Sequence, residues 1–192
     1  MTWDQISGWY DWEPYYESVV NDYGGGVLVE VGCYLGRSLC HLGTLVRESG
    51  KPFTVIGVDH CLGSGLENGR DNHVEAVKRN GQTFAGELWN NVVACGLHDI
   101  VSLIVGESGR VSNLFPDESL TMVFIDAGHN YADVHRDIRL WYPKVRLGGE
   151  IAGDDYGIEG QPPVWPGVRR AVDELFPDRR LVSHDAWEYR RR

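Results

Sequence analysis

Short apolar runs recur along the chain, each bounded by Gly, Asp or Ser. They cover residues 27–31, 53–58, 100–105, 121–125 and 149–152. Each is continuously apolar rather than alternating, the pattern of parallel strands buried on both faces. Helical stripes lie between them. Leu35, Leu39, Leu42 and Val46 step by three or four positions, and Gly50 follows as a stop. Phe84, Leu88, Val92 and Cys95 form a second stripe, ended by Gly96. Tyr131, Val134, Ile138 and Trp141 form a third, closed by Pro143. Val168, Val172 and Leu175 form a fourth, closed by Pro177. Strand and helix alternate, so the pattern predicts an α/β fold with a mainly parallel sheet and right-handed crossovers.

Three segments stand outside the alternation. The first 23 residues hold Trp3, Trp9 and Trp12, three of seven tryptophans, with Tyr10, Tyr15 and Tyr16. Residues 13–22 predict a helical cap on the sheet's edge or over a cleft. Its aromatic rings either wall an acceptor pocket or pack as ordinary core. Residues 61–82 are polar and glycine-rich, long for an α/β connection, and are expected to form a lid. Residues 180–182 and 186–190 predict an antiparallel hairpin turning at His184 and Asp185. At 192 residues the whole is expected to be one domain.

Composition narrows the classes. Apolar residues make up 42% and charged residues 24%, ordinary values for a globular chain. No apolar run approaches the roughly 20 residues a membrane helix needs. No basic stretch followed by an apolar one opens the sequence, so a cytoplasmic protein with no membrane partner is expected. Eighteen basic against 28 acidic residues give a net charge of −10, which disfavours a nucleic-acid partner. Cys33, Cys40, Cys61 and Cys95 show no zinc spacing, and reduced thiols are expected.

The first strand runs into Glu30-Val31-Gly32-Cys33-Tyr34-Leu35-Gly36-Arg37-Ser38. A strand, a glycine turn and a helix start make a ligand site at the strand's carboxyl end. Its spacing is E-x-G-x-x-x-G, neither G-x-G-x-x-G nor a P-loop, so a dinucleotide or nucleoside triphosphate does not suit it. The second strand ends in Asp59, where a carboxylate can accept hydrogen bonds from a ribose diol.

These residues resemble the class I S-adenosylmethionine-dependent methyltransferases. Glu30, Gly32 and Gly36 match that family's first motif, and Asp59 matches its ribose-binding acid. The resemblance runs from about Gly24 to the closing hairpin. It implies a Rossmann-like, seven-stranded sheet in the order 3-2-1-4-5-7-6 with helices on both faces. It implies S-adenosylmethionine as cofactor, with the turn from Gly32 through Cys33, Tyr34 and Gly36 to Ser38 lying along it. His60 follows the ribose acid and is expected to touch the cofactor. Ser108 falls where adenine is commonly contacted.

Three aspartates carry the sharpest signal. The fourth strand ends at Asp126, and Asp154 and Asp155 follow 28 and 29 positions later at the end of the fifth. Adjacent parallel strands lie about 4.8 Å apart, so these side chains can converge. Converging carboxylates repel, and a divalent cation such as Mg²⁺ relieves this, although Asp154 and Asp155 could equally cap a turn. The segment from Phe124 to Tyr156 resembles the metal-dependent O-methyltransferases of the catechol and macrocin types. That resemblance implies Mg²⁺ on Asp126, Asp154 and Asp155, and a hydroxylated small-molecule acceptor of sugar or polyphenol type. Asp126 also borders the cofactor. His129, three residues beyond Asp126, is the first candidate base, with Asp126 or metal activation alone as rivals. Its bland reading is a cap for the helix starting near Asn130. The sequence does not fix the oligomeric state; related enzymes often pair, which leaves a homodimer open. A metal-free methyltransferase and a non-catalytic or hydroxylase-like relative remain competing readings.

Overall fold

The computed structural model describes residues 1–63 and 73–192. Its centre is one seven-stranded sheet in the order β3-β2-β1-β4-β5-β7-β6. The strands are β1 (Gly26–Val31), β2 (Phe53–Asp59), β3 (Val101–Val105), β4 (Leu120–Ile125), β5 (Val145–Gly153), β6 (Arg180–Leu181) and β7 (Trp187–Arg190). The first five are mutually parallel, and β7 runs antiparallel to both β5 and β6. The helices are α1 (Glu13–Asp22), α2 (Arg37–Ser49), α3 (Val74–Arg79), α4 (Ala85–Ala94), α5 (Ser108–Val111), α6 (Tyr131–Trp141) and α7 (Pro166–Leu175).

The continuously apolar strands are sandwiched between two cores. One face buries Leu28, Val55, Met122 and Phe124 with α1, α2 and α4. The other buries Val29, Val31, Val123 and Ile151 with α6 and α7. Each large apolar side chain so buried contributes roughly 1.5–3 kcal/mol. β4 is buried along its full length, whereas β3, at the sheet's edge, exposes Ser102 and Val105. Apolarity alone had suggested burial of both faces for β3. An edge position explains the difference, since one side has no strand to cover it.

The N-terminal cap lies on the sheet's face rather than on its edge. Trp12 stacks on Phe124 with ring centroids 4.9 Å apart, and Tyr15 and Tyr16 pack on the same ring at 5.7 and 5.3 Å. All three are essentially inaccessible, so they are core and not pocket wall. Trp3 and Tyr10 are half-buried, and Trp9 is 62% exposed and stacked on Tyr34. The lid expected over 61–82 contains α3 in its second half, and residues 64–72 lie outside the described residues.

Register carries the site. Val31 pairs with both Val58 and Ile125, Ile125 with Gly153, and Asp59 with Val105. The ladder continues one residue further. Gly32 N–H donates to the Val58 carbonyl at 2.8 Å, Asp126 N–H to Val31 at 2.8 Å, and Asp154 N–H to Ile125 at 3.2 Å. Glycine turn and acids therefore leave the sheet side by side at its carboxyl edge.

Gly32 is the tightest point. Its φ is +87°, and a Cβ there would sit 1.8 Å from the Asp126 carbonyl oxygen. Gly50, which ends α2 at φ +63°, has open space around the same position. Gly32→Ala is expected to cost at least about 3 kcal/mol in urea unfolding, and Gly50→Ala only about 1 kcal/mol. Equal losses would show that the β1–β4 contact is not what demands glycine.

Candidate active site

The glycine turn is held by Asp59. Its Oδ2 accepts the backbone N–H groups of Cys33 at 2.8 Å and Tyr34 at 3.0 Å, and its Oδ1 that of Cys61 at 2.6 Å. Tyr34 adopts φ +45° at the tip of this turn. A carboxylate offers about four lone-pair sites. Three are taken by backbone donors. The first task of Asp59 is thus to shape the turn.

Glu30, Cys33 and Ser38, expected along the cofactor, turn their side chains inward instead. The Glu30 carboxylate is fully buried and accepts from Tyr16 Oη at 2.7 Å and Ser38 Oγ at 2.8 Å. The strand's alternation points Glu30 into the α1–α2 side of the sheet, and Ser38 meets it there. Glu30 and Ser38 therefore tie α1, β1 and α2 together behind the turn. Burial pushes the Glu30 pKa up to about 7, even though both hydroxyl donors pull it down. Ser108 is also engaged. Its Oγ accepts from the Trp141 indole at 2.8 Å, so its side chain locks α5 onto α6. His60 Nδ1 accepts from Leu62 N–H at 3.0 Å within its own loop.

Beside the glycine turn, Asp126, His129 and Asp155 bring one donor atom each within 4.8 Å of one another. His129 Nε2 lies 2.8 Å from Asp155 Oδ2 and 4.0 Å from Asp126 Oδ1. Asn130, not His129, caps α6, because its side chain accepts the Asp133 N–H at 3.0 Å. That leaves the His129 ring to the site. The backbone reaches it through a left-handed residue, Asp155 at φ +63°. A non-glycine residue there is sparsely populated and clusters at functional sites, and Asp tolerates it better than most.

The expected trio of Asp126, Asp154 and Asp155 is thereby altered. Register puts Asp154 beside Asp126, but its side chain is not among the clustered donors. Burial and then the Asp126 charge push the Asp154 pKa up to about 11. Its Oδ1 is buried with no protein partner among the described residues. Asp126 is raised too, by burial and then by Asp155. A second group, Asp11, His184 and Asp185, joins the cap to the β6–β7 turn close by. Sequence reading missed its contribution. Asp11 and Asp185 lie 174 positions apart, and no spacing rule connects a cap to a closing hairpin.

A family model described as "Methyltransferase domain" matches residues 29–156, two thirds of the chain. The chain belongs to this methyltransferase family. Among curated proteins it is similar to the uncharacterized protein R132 of Acanthamoeba polyphaga mimivirus, at 28% identity over 153 residues. That match takes in 77% of this chain, and the chain spans only 59% of the relative's length. Among solved structures, the O-methyltransferase NovP superposes with a TM-score of 0.69 at 22% identity, covering 93% of this chain and 77% of that one. TomG from Streptomyces achromogenes, an O-methyltransferase solved in complex with S-adenosylmethionine, gives 0.59 at 15% identity, covering 92% and 77%. At these identities the likeness is one of fold, and it is the fold implied by the glycine turn and the strand order. No described helix of the chain is long and apolar enough to cross a membrane.

Glu30 supplies a pH test of the turn's foundation. Its folded pKa is raised from 4.5 to about 7, so the folded state holds a proton there that the unfolded chain has lost. The stability from that proton is present below pH 4.5 and lost as pH rises through 7, by about 3 kcal/mol. Glu30→Gln removes this loss. Denaturant unfolding is expected to show the variant gaining on the parent between pH 4.5 and 7.5. Parallel curves would mean that Glu30 ionises in the fold as easily as in water.

Proposed function

We propose that this methyltransferase uses S-adenosylmethionine to methylate a hydroxyl of a small acceptor, of sugar or polyphenol type, with a divalent cation such as Mg²⁺ beside the acceptor. The observation that carries the reading is the placement of Asp126, His129 and Asp155 next to the glycine turn, through the Gly32–Asp126 contact. The family match and the fold neighbours support the transfer chemistry.

The residues fit both groups. For the nucleoside, the turn after β1, with Tyr34 at φ +45° at its tip, stands at the sheet's carboxyl edge, and Asp59 braces it from the end of β2. For the cation, Asp126 and Asp155 supply hard oxygen donors whose mutual repulsion a positive ion would relieve. The unpartnered Oδ1 of Asp154 is a third oxygen in the same acidic wall. Bound S-adenosylmethionine supplies an already activated methyl group, and a bound cation acidifies and orients a hydroxyl.

The chain's part is then alignment and proton removal. The Asp59-braced turn fixes the cofactor side, and the strand ends fix the acceptor side, which favours in-line attack. His129 is read as the base that takes up the proton leaving the acceptor oxygen. Asp155, 2.8 Å from Nε2, orients the imidazole and stabilises it when it becomes charged. Asp126 stands 4.0 Å from the same nitrogen and adds to that stabilisation.

Calorimetry tests the reading in two steps. S-adenosylmethionine is expected to bind the parent protein, and Mg²⁺ to bind at a site that Asp126→Asn and Asp155→Asn each weaken by more than about tenfold. Radiolabelled methyl transfer to a panel of catechols and sugars then identifies the acceptor class. Folded protein that binds neither S-adenosylmethionine nor S-adenosylhomocysteine would overturn the methyltransferase reading. Turnover indifferent to chelator and to both Asn variants would leave a metal-free enzyme.

A further inference from the structure

The segment Trp165-Pro166-Gly167 is built against the backbone that carries His129. Trp165 lies flat on the imidazole, with ring centroids 4.3 Å apart and planes 18° from parallel. It stands at the N-cap of α7, and Pro166 opens the helix with its φ fixed by the pyrrolidine ring. Gly167 is pressed into the 129–131 backbone. A Cβ there would fall 2.5 Å from Tyr131 N, 2.6 Å from the His129 carbonyl oxygen and 2.9 Å from the Asn130 carbonyl carbon. Only glycine lets α7 approach so closely.

The loop before Trp165 is itself anchored. The Arg169 guanidinium donates to the carbonyls of Tyr156 at 3.0 Å, Ile158 at 2.9 Å and Gln161 at 2.9 Å. The loop thus leaves Asp155, is pinned by Arg169 and returns as Trp165 over the ring that Asp155 contacts. His129 is held by Asp155 at one nitrogen, by Trp165 on one face and by Gly167 at its backbone. The imidazole χ2 is a broad torsion that its own backbone does not set, so an external surface must.

We propose that Trp165 is a positioning residue for methyl transfer, acting through His129 by holding the imidazole plane in line with Asp155. This rests on the reading of His129 as the proton acceptor. An indole face confines the ring to one plane without competing for its nitrogens. A flat hydrocarbon ring keeps most of that confinement, and a branched aliphatic side chain loses it.

The test compares Trp165→Phe with Trp165→Leu. Long-range proton–nitrogen NMR reads the histidine rings, and the signals that vanish in His129→Gln are those of His129. In the parent protein its ring protons are expected upfield, shifted by the indole ring current. They should stay displaced in the Phe variant and return to ordinary histidine positions in the Leu variant, with the melting temperature little changed. With S-adenosylmethionine and catechol as the diol probe, Trp165→Leu should lower kcat by about tenfold. Affinity for S-adenosylmethionine should be unchanged, and Phe should restore most of the rate. His129 signals and kcat unaltered in the Leu variant would overturn the proposal. Signals that move while His129→Gln itself retains full kcat would instead remove the proton-acceptor role and leave the clamp structural. If catechol is not methylated, the ring signals alone decide whether Trp165 holds the imidazole.

Discussion

The contact between Gly32 and the Asp126 carbonyl is the constraint on which the site depends. β1 and β4 are neighbours in register, and their chains leave the sheet together. A side chain at position 32 would occupy the space of the Asp126 oxygen. Because none is there, the glycine turn and the acidic cluster share one wall. The glycine turn and the acidic cluster come within reach of each other through backbone packing alone. Longer-range elements refine this arrangement, but they do not create it.

The acidic wall is costly, and the rest of the fold is arranged to bear it. Burial and mutual repulsion raise the pKa of Asp126 and Asp154, so both carboxylates sit in places that disfavour their charge. Glu30 adds a third such group behind the turn. Against this stand two apolar cores and the aromatic stack of Trp12, Tyr15 and Tyr16 on Phe124. Stability invested away from the site allows repulsion within it, as is common where function requires groups that would not otherwise settle together.

Most of the scaffold was legible in the chain because it rests on local patterns. Apolar runs gave the strands, and steps of three and four gave the helices, with Gly50 ending α2 as its position implied. The strand order came from the family resemblance and agrees with the sheet. The site was legible only as a neighbourhood. Motif position places Glu30, Ser38 and Ser108 near the cofactor, but strand and helix phase turn Glu30 and Ser38 inward and engage the Ser108 hydroxyl with Trp141. Asp59 occupies the expected strand end, yet backbone donors satisfy most of it. Trp165 reaches the site from a distant segment, and only the folded chain relates it to His129.

The neighbours Asp154 and Asp155 show why spacing alone falls short. Consecutive residues leaving a strand point to opposite sides, so two adjacent carboxylates cannot both turn toward Asp126 by continuing the strand. Register places Asp154 next to Asp126, and a rule drawn from register would choose it. The chain instead turns at Asp155 through φ +63°, which swings that carboxylate onto His129 and leaves the Asp154 Oδ1 buried without a partner among the described residues. The sequence carries the ingredients of this turn, since Asp is among the few residues that tolerate the left-handed region. What selects the outcome is the loop that follows, whose Arg169 anchors and Trp165 return close over the same histidine. The identity of the acidic site is therefore decided by the chain beyond it.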